Sequence, residues 1–83
     1  MSYTFKRNKP LTKVQKAVMD RIESGDRLVF TENAIYWARE YKDGWSIVDR
    51  ALYPQVRRLL WYGEIDFNNP NQVLPETALS HNS

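Results

Sequence analysis

The chain has no cysteine, which excludes disulfides and thiolate metal sites and is compatible with a reducing, cytoplasmic setting. Its one histidine, His81, falls in a polar C-terminal stretch, so neither a Ser/His/Asp arrangement nor a His-based metal site can be assembled in a rigid cleft. The three glycines are isolated, and a Gly-rich loop that cradles phosphates is therefore missing. The longest uninterrupted apolar run, Ala34 to Ala38, is too short to cross a bilayer. The N-terminus has charge but no apolar segment behind it of the kind a secretory signal needs. Glu64 and Asp66 can share one strand face, yet acids in that setting are far more often solvated edge residues than an acid/base pair. These absences lead to an expectation of no catalysis, metal, cofactor, small-molecule substrate or membrane contact.

Eighty-three residues form one small domain, which buries about 60–65% of its unfolded surface and has no room for a second core. Apolar residues make up 42% of the chain and charged residues 27%, a balance that belongs to globular domains rather than to disordered chains. The formal charge is +2 and unevenly placed: residues 1–27 carry seven Lys/Arg against three Asp/Glu, residues 28–58 five against four, and residues 59–83 none against three. Lys6, Arg7, Lys9, Lys13 and Lys16 cluster at the front, a density of charge that draws phosphate or an acidic protein surface.

Residues 1–10 lack apolar periodicity and end at Pro10, so they read as a flexible basic arm ahead of a domain spanning residues 11–67. Thr12 followed by Gln15 fits a capping box. Val14, Ala17, Val18 and Ile22 then recur at helical spacing, and Gly25 ends the helix. Residues 27–31 are rich in β-formers and read as a strand. Residues 34–41 fit a strand with Ile35, Trp37 and Arg39 on one face, or a helix capped by Thr31 with Ile35, Ala38 and Tyr41 on one face. Aromatic content favours the strand. Lys42-Asp43-Gly44 is a turn in either case, and residues 45–52 read as a connection of no fixed type.

Pro54 suits the first position of a second helix. Its buried stripe is Val56, Leu59 and Leu60, extended by Leu52 or Tyr53, and Gly63 ends it. Residues 64–67 alternate charged and apolar side chains, the pattern of a half-buried strand with Ile65 and Phe67 inward. Residues 68–83 are polar with scattered Leu and Val and read as a disordered or loosely packed tail. The expected fold is α+β, one small domain with the order α-β-β-α-β and flexible termini.

Residues 11–25, residues 27–30 and the run Val56-Arg57-Arg58-Leu59-Leu60-Trp61-Tyr62-Gly63-Glu64-Ile65 resemble the winged-helix group of small α+β domains. In particular, they look like small winged-helix-type proteins frequent in bacteriophage and prophage genomes. The likeness rests on hydrophobic spacing and one glycine, and it implies nucleic-acid binding, duplex DNA above all, in gene regulation.

Two sets of side chains are candidates for contact with a partner. Arg57, Arg58 and Trp61 cannot share the buried stripe of their helix. They form either a docking face for nucleic acid or protein, or a local pair in which Arg57 stacks on Trp61 while Arg58 is solvated. The basic residues Lys6, Arg7, Lys9, Lys13 and Lys16 add sequence-independent attraction to a phosphate backbone, or only solubility. Tyr36, Trp37, Tyr41 and Trp45 surround the Lys42-Asp43-Gly44 turn and form a second candidate surface, or else the core of a domain this small. The alternative function is a protein-interaction module, a phage-type inhibitor or adaptor that docks on a host protein or nucleoprotein complex.

Overall fold

A computed structural model describes residues 10–79. Helix α1, Lys13–Glu23, leads into a three-stranded antiparallel meander of β1, Arg27–Phe30, β2, Ile35–Tyr41, and β3, Gly44–Arg50, followed by helix α2, Tyr53–Tyr62. The fold is α+β, as expected, but the order is α-β-β-β-α. Residues 45–50, read as a connection, are part of the third strand, because the two-residue turn at Lys42 and Asp43 returns the chain directly alongside β2. Residues 64–67 form a bend that leads into a turn at Phe67, and not a strand. No helix lies between β1 and β2, so the described residues contain no helix-turn-helix.

Helix α1 starts where expected. Thr12 Oγ1 accepts from the Gln15 amide at 3.1 Å while Gln15 Oε1 accepts from the Thr12 amide at 3.1 Å, so two amides that the helix cannot satisfy internally are paired. Its buried face differs from the expected stripe. Gln15, Val18 and Ile22 face inward, whereas Val14 and Ala17 are exposed. The physical reason is a polar tie. Gln15 Nε2 donates to Gln55 Oε1 of α2 at 3.2 Å, turning the helix so that an amide, and not Val14, meets the neighbouring helix.

Helix α2 ends at Gly63, whose φ of 83° lies in the left-handed region that side chains with a Cβ resist. The amides of Glu64 and Ile65 then return to the Leu59 carbonyl at 3.0 and 3.2 Å, which drops Ile65 into the core. Phe67 does not follow it. That ring is 57% exposed and meets Phe30 edge-on, with centroids 5.1 Å apart. Leu52 and Tyr53, expected to extend the buried stripe, are also more than half exposed.

The main core lies between the helices and one face of the sheet, where Val18, Ile22, Leu28, Ile35, Trp37, Val56, Leu59 and Ile65 pack together. Opposite β2, Trp37 faces Asp49 and Ala38 faces Ile47, so Val48 is an extra residue in β3. This bulge turns Val48 toward the helix-side core.

The other face is covered by the segment expected to be loose. Leu28 donates its amide to the Gln72 carbonyl at 2.9 Å and accepts from the Leu74 amide at 2.8 Å, placing residues 72–74 against the outer edge of β1. Leu74 packs with Val29 and Ala38 beneath the sheet, joined by Ala78 and Leu79, and Leu79 bridges to Trp45 on β3. Residues 72–79 thus form a strap from one sheet edge to the other. Scattered Val and Leu among polar residues suffice, because a strap crossing the sheet needs only a few inward side chains.

A carboxylate hub joins α1 to the sheet. Asp26, 4% exposed, accepts from Arg21 Nε at 2.8 Å and from Arg39 Nε and Nη2 at 3.0 and 3.1 Å. Arg21 also reaches Asp49 at 3.3 Å and lies 4.6 Å above the Trp37 ring. Hydrogen bonds from Arg39 hold the Asp26 carboxyl below its ordinary 3.8, aided by Arg21 and opposed by burial. Because the folded-state pKa lies below the unfolded one, this contribution to stability is complete above 3.8. It is lost as pH falls through the folded value.

Asp26→Asn is therefore expected to cost about 1–3 kcal/mol at neutral pH. The lower half of that range is favoured, because water screens the half-exposed Arg39. Urea unfolding midpoints at a series of pH values check this. The variant should lose stability less steeply below pH 3.8 than the parent chain, and parallel acid profiles would show that Asp26 is not the titrating hub. Asp49 remains in both proteins and titrates there as well, its carboxyl lowered first by the Arg50 amide and then by Arg21.

Candidate nucleic-acid interface

The described arginines fall into two groups by what their guanidinium groups touch. Arg21 and Arg39 belong to the Asp26 hub. Arg27 donates to the carbonyls of Pro70, Gly25 and Asp26 and lies 5.5 Å above the Trp45 ring. These three are structural. Arg50, Arg57 and Arg58 are exposed and make no ion pair or side-chain hydrogen bond among the described residues.

Helix α2 positions two of the three. With Val56 and Leu59 buried, the period of 3.6 residues turns Arg57, Arg58 and Trp61 outward. Arg57 stands between two open concavities and lines both, as do Tyr53 and Leu60. The first, about 730 Å³, runs between α2 and the β1–β2 turn and is completed by Phe30, Phe67, Arg50 and residues 31–35. The second, about 630 Å³, is bounded by Pro54, Arg58 and Trp61. Both volumes lie in the range of small-ligand clefts. Among the described residues, Glu32 is the one acid lining either of them, so the charge of their described lining is positive.

The turn that forms the far wall of the first concavity is fixed by Thr31. Its Oγ1 donates to the Ala34 carbonyl at 2.7 Å and accepts from the Ala34 amide at 3.1 Å. Thr31 thus organises a tight β1–β2 connection and caps no helix.

The sequence candidates distribute unevenly. Arg57, Arg58 and Trp61 come together on one exposed face, with Trp61 63% exposed. Lys13 and Lys16 are exposed on α1 and line neither concavity, while Lys6, Arg7 and Lys9 lie outside the described residues. The aromatic group around the β2–β3 turn does not form one partner surface. Trp37 is 4% exposed beneath Arg21, Tyr36 and Trp45 pack against the strap side of the sheet, and only Tyr41 is exposed. Alternation along β2 divides these rings between two covered faces.

Sequence reasoning missed Arg50, Tyr53 and Phe67. Tyr53 sits at the start of α2 beside Pro54, and its place in the apolar periodicity concealed that it points outward. Arg50 and Phe67 are brought to α2 only by the third strand and by the turn after Gly63. The backbone at Glu64 and Asp66 is tied to Gln72. The Gln72 side chain donates to the Glu64 carbonyl at 3.0 Å and accepts from the Asp66 amide at 2.7 Å. No group of three or more acidic, histidine or cysteine side chains suited to a metal ion occurs among the described residues, and no helix among them is long and apolar enough to cross a membrane. Compared with protein-family models, curated proteins and solved structures, the chain matches none of them.

Proposed function

We propose that the exposed face of α2 binds nucleic acid, with Arg57 and Arg58 on phosphates and Arg50 alongside. The observation that carries this reading is the division of the arginines. Among the described residues, three arginines are held by internal partners, and the three without one each border at least one of the two concavities. Guanidinium groups bind phosphate oxygens through two parallel hydrogen bonds, and the neighbouring rings offer flat apolar surface to bases. The winged-helix likeness of the sequence points in the same direction and supplies a setting, phage or prophage gene regulation. Without a helix-turn-helix, however, α2 has to dock on its own.

Fluorescence anisotropy with labelled single-stranded and duplex DNA at low salt tests the proposal. Binding of roughly micromolar strength is expected. In the Arg57→Ala, Arg58→Ala double variant most of it is lost, and the slope of log affinity against log salt falls by about 1.4–1.8, two phosphate contacts' worth. If neither form of DNA binds, the proposal fails. Leu52, Tyr53 and Trp61, each more than half exposed on or beside α2, favour a second reading, a protein partner docked on the same helix. A salt-tolerant complex captured from host lysate, surviving nuclease and broken by Trp61→Ala, would establish that reading instead.

A further inference from the structure

Resting on the nucleic-acid reading, we infer that the ligand is a single strand whose unpaired bases enter the two concavities while Arg57 grips the backbone between them. Each concavity combines one largely exposed ring with a pair of cations. The first has Phe67 with Arg50 and Arg57, and the second has Trp61 with Arg57 and Arg58. Tyr53, half exposed, lines both and stands at their junction.

That alternation of ring and guanidinium matches a chain of alternating base and phosphate, because every base has a π-face for a ring and every phosphate a site for an arginine. In a duplex the base faces are stacked on one another inside the helix, so a protein reads only base edges and backbone. Two concavities flanking one arginine would then remain unfilled. Recognition by stacking is tolerant of sequence, and the site accordingly predicts preference for strandedness over base identity.

Anisotropy titrations with a fluorescein-labelled oligothymidylate and with a duplex of the same length decide the matter, alongside intrinsic tryptophan emission. Expected are tighter binding of the single strand and quenching of emission that disappears in Trp61→Phe, since Trp37 is buried and Trp45 half-buried. Tyr53→Ala weakens single-strand binding by about five- to 150-fold, with the salt slope unchanged. Phe67→Ala, which alters the first of these two concavities and not the second, gives a loss within the same range, and thermal unfolding of each variant confirms that it is folded. Duplex binding equal to or tighter than single-strand binding, or single-strand affinity untouched by both aromatic variants, overturns the inference and leaves the broader reading standing. Failure to bind either probe removes both.

Discussion

Replacing Leu59 by alanine should lower the stability of the domain by about 3–5 kcal/mol. The side chain has no exposed surface and packs in the main core shared by the helices and the sheet. Removing its branched end therefore takes away apolar burial and leaves a space that three elements would have to shift together to fill. Domains of this length have stabilities on the order of 0.05–0.15 kcal/mol per residue, so the loss is a large share of the total. Urea unfolding followed by circular dichroism measures it as a lower midpoint at constant slope. A change below about 1 kcal/mol would contradict the placement of Leu59 at the centre of the core.

Ending the chain after Asn71 is the second large effect. It removes the two backbone hydrogen bonds at the edge of β1 and the burial of Val73 and Leu74, each worth about 1.5–3 kcal/mol as an upper estimate. It also bares Val29 and Ala38, which have no exposed surface in the intact chain. The shortened chain is expected to lose cooperative unfolding at 25 °C or to retain only a small part of its stability. It should also self-associate, since β1 then offers unpaired amides and carbonyls to another strand. Sedimentation and unfolding curves of the two lengths test this together. A monomeric truncated chain with the midpoint of the full one would show that the strap contributes little.

The two helices were legible in the sequence because their ends carry local chemistry: the Thr12–Gln15 box, Pro54 and Gly63 each act within a few residues. The strand at residues 27–30 was legible for the same reason. What local reasoning placed wrongly depends on distant partners. Val14 yields the inward face to Gln15 because Gln55, far along the chain, offers an amide partner. Residues 45–50 become a strand because β2 stands beside them with an open edge. The strap is invisible to periodicity, since its pairing partner is β1 and its apolar residues follow neither a helical nor a strand repeat. At the candidate interface, Arg57, Arg58 and Trp61 emerged by elimination from the helix stripe. The side chains that complete it arrive from β3 and the turn after α2.

Helix α1 is fastened by two polar joints of different character, the Gln15–Gln55 amide pair and the Asp26 hub. The amide joint carries no proton to lose and no charge for salt to screen. Acid or high salt therefore acts on one attachment only, the one at the C-terminal end of α1, while the N-terminal end stays docked on α2. The helix that bears the uncommitted arginines is tied to its neighbour by the joint that solution conditions leave alone.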